Sequence, residues 1–235
     1  MSSNNINKEN SPPHRTIKSF VLRQGRLTKA QQSALNDHWQ AYGIDYSEQV
    51  LSIDKLFKNN NEIILEIGFG NGESLLQQAT NQPQYNFIGI EVHSPGVGHL
   101  IHHACRQGVH NIKVIRHDAV EVLKHQIADS SIKQVQLFFP DPWHKKKHHK
   151  RRIIKPDFIQ LIHRKLKPGG LFHMATDWQD YADYMLEQMD NAEGFINTSG
   201  TGNFSADRAS RCETKFERRG LKLGHKVWDL IYQKC

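Results

Sequence analysis

The sequence predicts a Rossmann-like α/β fold: a mostly parallel sheet with helices on both faces and one antiparallel strand at an edge. Three observations carry this expectation. Short apolar runs alternate with amphipathic stretches from residue 62 onward, the pattern of strands joined by helical crossovers. The first run, Ile63-Ile64-Leu65-Glu66-Ile67, passes directly into Gly68-Phe69-Gly70-Asn71-Gly72, a turn whose glycines let the backbone approach a ligand. The tail carries Val227, Trp228, Leu230 and Tyr232, an alternation suited to a final strand running against the others.

Taken in order, the first fifteen residues (MSSNNINKENSPPHR) bury too little apolar surface to offset the entropy of ordering, and a disordered tail is expected over 1–15. Residues 16–235 then form one domain with an N-terminal extension. Within that extension a helix is expected over 28–39, with Thr28 as its N-cap. Strands follow over 62–67, 86–91, 112–117, 134–139 and 171–176. Helices are expected from Glu73, around 98–107 and over 156–165, and the turn Lys167-Pro168-Gly169-Gly170 precedes the fifth strand. No internal repeat is visible.

At 235 residues the chain can bury a full core without disulfides or metals. Its net charge of +7 is concentrated in one block, which points to a polyanionic partner. The three cysteines, Cys105, Cys212 and Cys235, lack the paired spacing of a zinc ribbon or a redox motif and suit a reducing compartment. The polar first residues lack the apolar stretch of a signal peptide, and no apolar run approaches the ~20 residues of a membrane span. A soluble, cytoplasmic protein without membrane contact is expected.

The acids around the glycine turn define its ligand. A dinucleotide fingerprint wants a small residue where Glu73 stands, and gains nothing from Glu66 in the strand. An anionic pair there repels phosphates but suits a ligand carrying an ammonium and a sulfonium, namely S-adenosyl-L-methionine. This disfavours a dehydrogenase. The turn alone is also compatible with packing, the lesser of the two readings. It does not stand alone, because Glu91 ends the second strand, where a carboxylate accepts both ribose hydroxyls of a nucleoside. Asp118 follows the third strand and suits either the adenine amino group or a helix N-cap, with Ala119 leaving room for the ring. Three acids at successive strand ends are harder to ascribe to capping, since open α/β sheets bind ligands there.

The fourth strand leads into Pro140-Asp141-Pro142-Trp143, whose prolines restrict the backbone around Asp141 and aim its carboxylate. Read blandly, this is a rigid turn with a solvated acid. Here the chain resembles the bacterial tRNA (guanine-N7-)-methyltransferases. LEIGFGNG, IGIEVH, RHDA, FFPDPWHKKKHHKRR, LKPGG, ATDW and TKFERRG occur in that family's order from about Phe20 to Tyr232. The resemblance implies a class I methyltransferase fold and methyl transfer from S-adenosyl-L-methionine to N7 of guanosine 46 in the tRNA variable loop. It implies cofactor contacts at Glu66, Gly68, Glu91 and Asp118, the active-site acid at Asp141, and substrate contacts at Lys145, Asp177, Thr214, Lys215, Phe216 and Glu217.

The chemistry stands without the family. Guanine N7 bears a lone pair and no proton, so attack on a sulfonium methyl needs positioning and exclusion of water, not a general base. An anion near the ring helps, because the product is cationic, and acceptors suit the N1 and N2 hydrogens. Asp141 and Asp177 fit both tasks.

Residues 144–152 read HKKKHHKRR, six Lys or Arg and three His without an acid, so Lys147, His148, His149, Lys150, Arg151 and Arg152 are expected to grip RNA phosphates. A charge run of this kind is more often a solvated surface; its position behind Asp141 decides for RNA. His144 and His148 have i, i+4 spacing, yet no carboxylate or cysteine completes a tetrahedral set, and no metal is expected. Two rivals remain: an exocyclic-amine methyltransferase, and a non-catalytic RNA-binding protein on the same scaffold. No obligate protein partner is evident, which leaves a monomer or a homodimer.

Overall fold

The computed structural model of the chain describes residues 18–21, 25–206, 208, 211–212, 217 and 226–235. The expected tail over 1–15, and Thr214, Lys215 and Phe216, lie outside the described residues.

The extension opens with α1 (Lys29–Tyr42), whose N-cap Thr28 accepts from the Gln31 amide while the Gln31 side chain accepts from the Thr28 amide. That reciprocal box satisfies two amide groups the first turn would otherwise leave open. The order then runs β1 (Gly43–Ile44), α2 (Ile53–Phe57), β2 (Ile63–Ile67), α3 (Glu73–Asn81), β3 (Asn86–Ile90), α4 (Ser94–Gln107), β4 (Ile112–Ile115), α5 (Ala119–His125) and β5 (Ile132–Phe138). A 3-10 turn over Lys146–Arg151 precedes α6 (Pro156–Lys165), β6 (Leu166–Thr176), α7 (Gln179–Asp190), β7 (Phe195–Asn197) and β8 (Trp228–Lys234).

These strands form one sheet in the order β1-β4-β3-β2-β5-β6-β8-β7. The pairs from β1 to β6 are parallel, while β8 runs antiparallel to β6 and β7 antiparallel to β8. The antiparallel end of the sheet is as expected, with one difference: the tail strand β8 is not outermost, because the short β7 pairs beyond it. Three residues with an exposed Ile196 are too brief and too mixed for periodicity to reveal.

The expected turn Lys167-Pro168-Gly169-Gly170 also takes another form. It is a bulge inside β6: Ile132 pairs with Leu166, Gln134 with Leu171, and Gly169 adopts φ +72°. Helix α4 begins at Ser94, four residues before the expected start, since Pro95 fits a first helical turn.

Both faces of the sheet are covered. On one, Leu65, Ile88, Val135 and Phe172 pack with Phe158, Ile162, Met185 and Met189 of α6 and α7. On the other, Ile64 and Phe87 pack with Leu75 and Ala79 of α3, Leu100 and Ile101 of α4, and Ala34 of α1. Strand β2 is buried along its whole length at the middle of the sheet. Its carboxyl end therefore opens at the change of chain direction between β3 and β5, where doubly wound sheets bind ligands.

Candidate active site

The glycine turn is shaped by backbone demand. Gly68, Gly70 and Gly72 adopt φ +72°, +58° and +76°, and a Cβ on Gly68 or Gly70 would meet nothing within 4 Å, so left-handed backbone and open space coincide. Helix α4 closes on this turn through Gly96, where a Cβ would lie 2.0 Å from the Gly70 carbonyl oxygen.

The three acids behave differently from one another. Glu66 is buried between Gly89 and Gln136 in the sheet register, and its Oε2 has no hydrogen-bond partner among the described residues. Burial, and then the neighbouring Glu91 carboxylate, push its pKa up to about 8. Glu91 ties β3 to the glycine turn. Its Oε2 accepts from the Gly70 amide at 2.9 Å, and its Oε1 accepts from the amides of Val92 at 2.6 Å and His93 at 3.0 Å. Asp118 is the N-cap of α5, its Oδ1 accepting from the Val120 amide at 3.0 Å, and its Oδ2 lies 4.0 Å from Lys18 Nζ. The sequence left a cap and a ligand as alternatives for Asp118. One oxygen caps, and the side chain still faces a cavity. Glu73 does not join Glu66 as an anionic pair: it is exposed at the start of α3 and lines a separate recess with His99 and His103.

Two cavities meet at the carboxyl edge of the sheet. The inner one is lined by Gly68, Glu91, His93, Asp118, Phe139 and Asp141, among others, with Ser19 and Phe20 of the extension. The outer one is lined by Val21, His93, Asp141, Pro142, Trp143, His144, Lys145 and His148. Among the described residues, only His93 and Asp141 belong to both linings.

The segment that presents Asp141 is held under strain. Phe139 and Trp143, on either side of Pro140-Asp141-Pro142, take φ +52° and +50°, a left-handed region costing a non-glycine residue about 1 kcal/mol or more. Anchors on each side hold this shape. The Phe139 amide donates to the Ala175 carbonyl at 2.8 Å, Trp143 Nε1 donates to the Ser19 carbonyl at 3.2 Å, and Arg152 Nε donates to the Pro142 carbonyl at 2.9 Å. Asp141 itself is exposed toward the cavities.

Arg152 is therefore a correction to the expected RNA grip. It is 2% exposed, bonds Asp180 and Pro142, and packs its guanidinium over the rings of Tyr181 and Tyr184. It holds the loop and is not available to a phosphate. Lys145, Lys147 and Lys150 are exposed, while Arg151 lies over the Trp143 ring at 5.1 Å. His148 and His149 are half-buried, and burial followed by the cations of Lys147, Arg151, Lys145 and Lys150 lowers the pKa of His148. Asp177 is exposed at the end of β6 and joins neither cavity lining.

Glu217 is the second correction. Expected at a guanine edge, it is 2% exposed and ion-paired with Arg211, with Arg208 at 3.4 Å. Arg211 also bonds Asp229 through Nε at 2.8 Å and Nη2 at 2.7 Å, and Asp229 accepts from His173 at 2.8 Å. Burial opposes the charge on Arg211, but the bonds to Asp229 and Glu217 outweigh it and raise its pKa. The same guanidinium lies over the rings of Phe138 and Phe139 at 5.7 and 5.5 Å, so this network braces the strand end before Asp141. Sequence reasoning missed Arg211, His173 and Asp229. They lie far apart in the chain, and each looks ordinary in its own segment.

Among the described residues no group of three or more His, Cys, Asp or Glu could hold a metal ion, and no helix is long and apolar enough to cross a membrane.

With this geometry in hand, comparison with known proteins defines the class. The structure aligns with the 16S rRNA methyltransferase KamB with a TM-score of 0.58, at 14% identity, over 79% of this chain and 94% of that one. The fold is that of a class I methyltransferase. A family described as "Putative methyltransferase" matches residues 60–230. The tRNA (guanine-N(7)-)-methyltransferase of Shewanella frigidimarina (strain NCIMB 400) is 54% identical over 94% of this chain and 92% of its own length. That of Aeromonas hydrophila subsp. hydrophila is 56% identical over 94% and 93%. The chain belongs to the tRNA (guanine-N(7)-)-methyltransferase family.

Proposed function

We propose that this protein transfers the methyl group of S-adenosyl-L-methionine to N7 of guanosine 46 in the variable loop of cytoplasmic tRNA. The observation that carries the reading is the junction of two cavities at Asp141, one behind the glycine turn and one open to the basic loop. A methyl donor in the first and a nucleobase in the second meet at that carboxylate.

The residues around the inner cavity suit this donor: Gly68, Glu91 and Asp118 line it, and Glu66 directly precedes Ile67 and Gly68 of the lining. Glu66, buried with one oxygen lacking a partner and its pKa raised to about 8, gains most from a cation such as the ammonium of the donor. Glu91 already accepts three amide hydrogens, leaving one lone pair, so it holds one ribose hydroxyl where two were expected. Asp118 keeps Oδ2 for the adenine amino group, beside Ala119. Gly68 leaves open space against the backbone.

S-adenosyl-L-methionine supplies an electrophilic methyl: the N7 lone pair forms the new N–C bond and the S–C bond pair stays on sulfur. No proton moves. Asp141 stabilises the positive charge that develops on the imidazole ring of guanine and accepts a Watson–Crick-edge hydrogen, with Asp177 beyond it. Its strained, anchored backbone holds the carboxylate without reorganisation during the reaction. Lys145 in the lining of the outer cavity contacts the substrate, and Lys147, Lys150 and Arg151 beside it neutralise tRNA phosphates, with His148 and His149. Thr214, Lys215 and Phe216 complete the substrate contacts.

The test is incubation with labelled S-adenosyl-L-methionine and unmodified tRNA, followed by nucleoside mapping. Label in 7-methylguanosine at position 46 is expected. Label in an exocyclic amine, or none, refutes the reading.

A further inference from the structure

We propose that His93 reads the O6 edge of the target guanine and makes the site reject adenine. The proposal rests on the reading above that guanine N7 is the acceptor.

Among the described residues, His93 and Asp141 are the two shared by the inner and outer cavities, so both stand where a base must present N7 to the donor. The backbone of His93 is tightly fixed. Its amide donates to Glu91 Oε1 at 3.0 Å, and as N-cap of α4 its carbonyl accepts from Gly96 at 3.1 Å and Val97 at 3.2 Å. Its imidazole, half-buried, makes no hydrogen bond with any described residue. A rigidly mounted donor with nothing to donate to sits at the mouth of the inner cavity.

Guanine supplies the missing acceptor. N7 and O6 lie side by side on one edge of the base, and O6 stands between N7 and N1–H. With N7 turned to the inner cavity and N1–H turned to Asp141, O6 faces the remaining shared wall, which is His93. A neutral imidazole carries one N–H and can donate it to O6. Adenine carries an amino group in that position, so donor would face donor and two polar groups would be left unsatisfied. Asp141 reads the neighbouring position, where guanine offers N1–H and adenine a lone pair, so His93 adds a second, independent distinction at the 6-substituent.

The experiment uses the full-length enzyme and tRNA transcripts carrying guanosine or 6-thioguanosine at the target, since sulfur accepts a hydrogen bond more weakly than oxygen. Wild type, His93→Leu and His93→Gln are compared by kcat/KM. The wild type is expected to favour guanosine over 6-thioguanosine by about 10-fold. His93→Leu is expected to lose roughly 10- to 100-fold on guanosine and to lose the preference. His93→Gln, which keeps an N–H donor, should recover most of the activity and part of the preference. The KM for S-adenosyl-L-methionine should stay constant throughout. Retained discrimination in His93→Leu, or a loss confined to the cofactor KM, overturns the proposal while leaving the parent function intact. Absence of 7-methylguanosine from the wild-type product overturns both.

Discussion

Glu66→Gln tests the electrostatics behind the glycine turn most directly. Glu66 is 4% exposed, and its carboxyl is raised from 4.5 to about 8. A carboxyl raised on folding stabilises the protein fully below the unfolded value of 4.5, and that stability is lost as pH climbs to the folded value. The full shift corresponds to about 5 kcal/mol, lost at about 1.4 kcal/mol per pH unit between pH 4.5 and about 8. Glutamine has the same shape and no charge, so it removes this component. Urea unfolding of both proteins from pH 5 to pH 8.5 should give stability curves that diverge across this window, the variant becoming the more stable by several kcal/mol at the alkaline end. The proposed role adds a second measurement. Binding an ammonium beside Glu66 favours its ionised form, so at pH 7 the wild type should release close to one proton on binding S-adenosyl-L-methionine. Calorimetry in two buffers of different ionisation enthalpy reads this directly. The variant should release none and bind more weakly. Parallel stability curves, or equal proton release, would refute the reasoning.

Three further outcomes follow from the same geometry. Asp141→Ala should abolish methylation and leave S-adenosyl-L-methionine binding within a few fold; near-normal turnover would remove Asp141 from its assigned role. Neutralising Lys147, Lys150 and Arg151 together should raise the KM for tRNA and reduce the salt slope of binding by about 2 to 3, with the cofactor KM unchanged; equal effects on both constants would count against a phosphate grip. Arg211→Met strands the buried carboxylates of Glu217 and Asp229 and should cost about 3–5 kcal/mol, a Tm fall of roughly 6–20 °C; an unaltered melting curve would mean that the network does not brace the fold.

Much of the scaffold was legible because it depends on local pattern. The apolar run over Ile63–Ile67 and the glycines after it dictate a buried strand and a left-handed turn wherever they occur. The capping signature at Thr28 and the proline-led start of α6 are equally local. The acids Glu66, Glu91 and Asp118 could be picked out because each ends a strand in a fold that binds ligands at strand ends. The bulge in β6 and the placing of β7 outside β8 could not, since both depend on which strand lies alongside.

Side-chain fate is where the tertiary structure decided. Arg151 and Arg152 are neighbours in one basic run, yet one lies at the surface over Trp143 while the other is buried against Tyr181 and Asp180, elements contributed by a distant helix. Glu217 sits in a motif that marks the family, but Arg211 turns it inward. His93 carries no signal in the sequence beyond its place after Glu91, and only the meeting of two cavities puts it in both linings together with Asp141. By itself the sequence determined the sheet, the glycine turn and the chemical character of the edge, because hydrophobic period, glycine backbone and charge density act over a few residues. Which charges are buried inside the protein and which remain exposed was decided by packing between segments remote in the chain, since burial and partnership belong to contacts that no local pattern encodes.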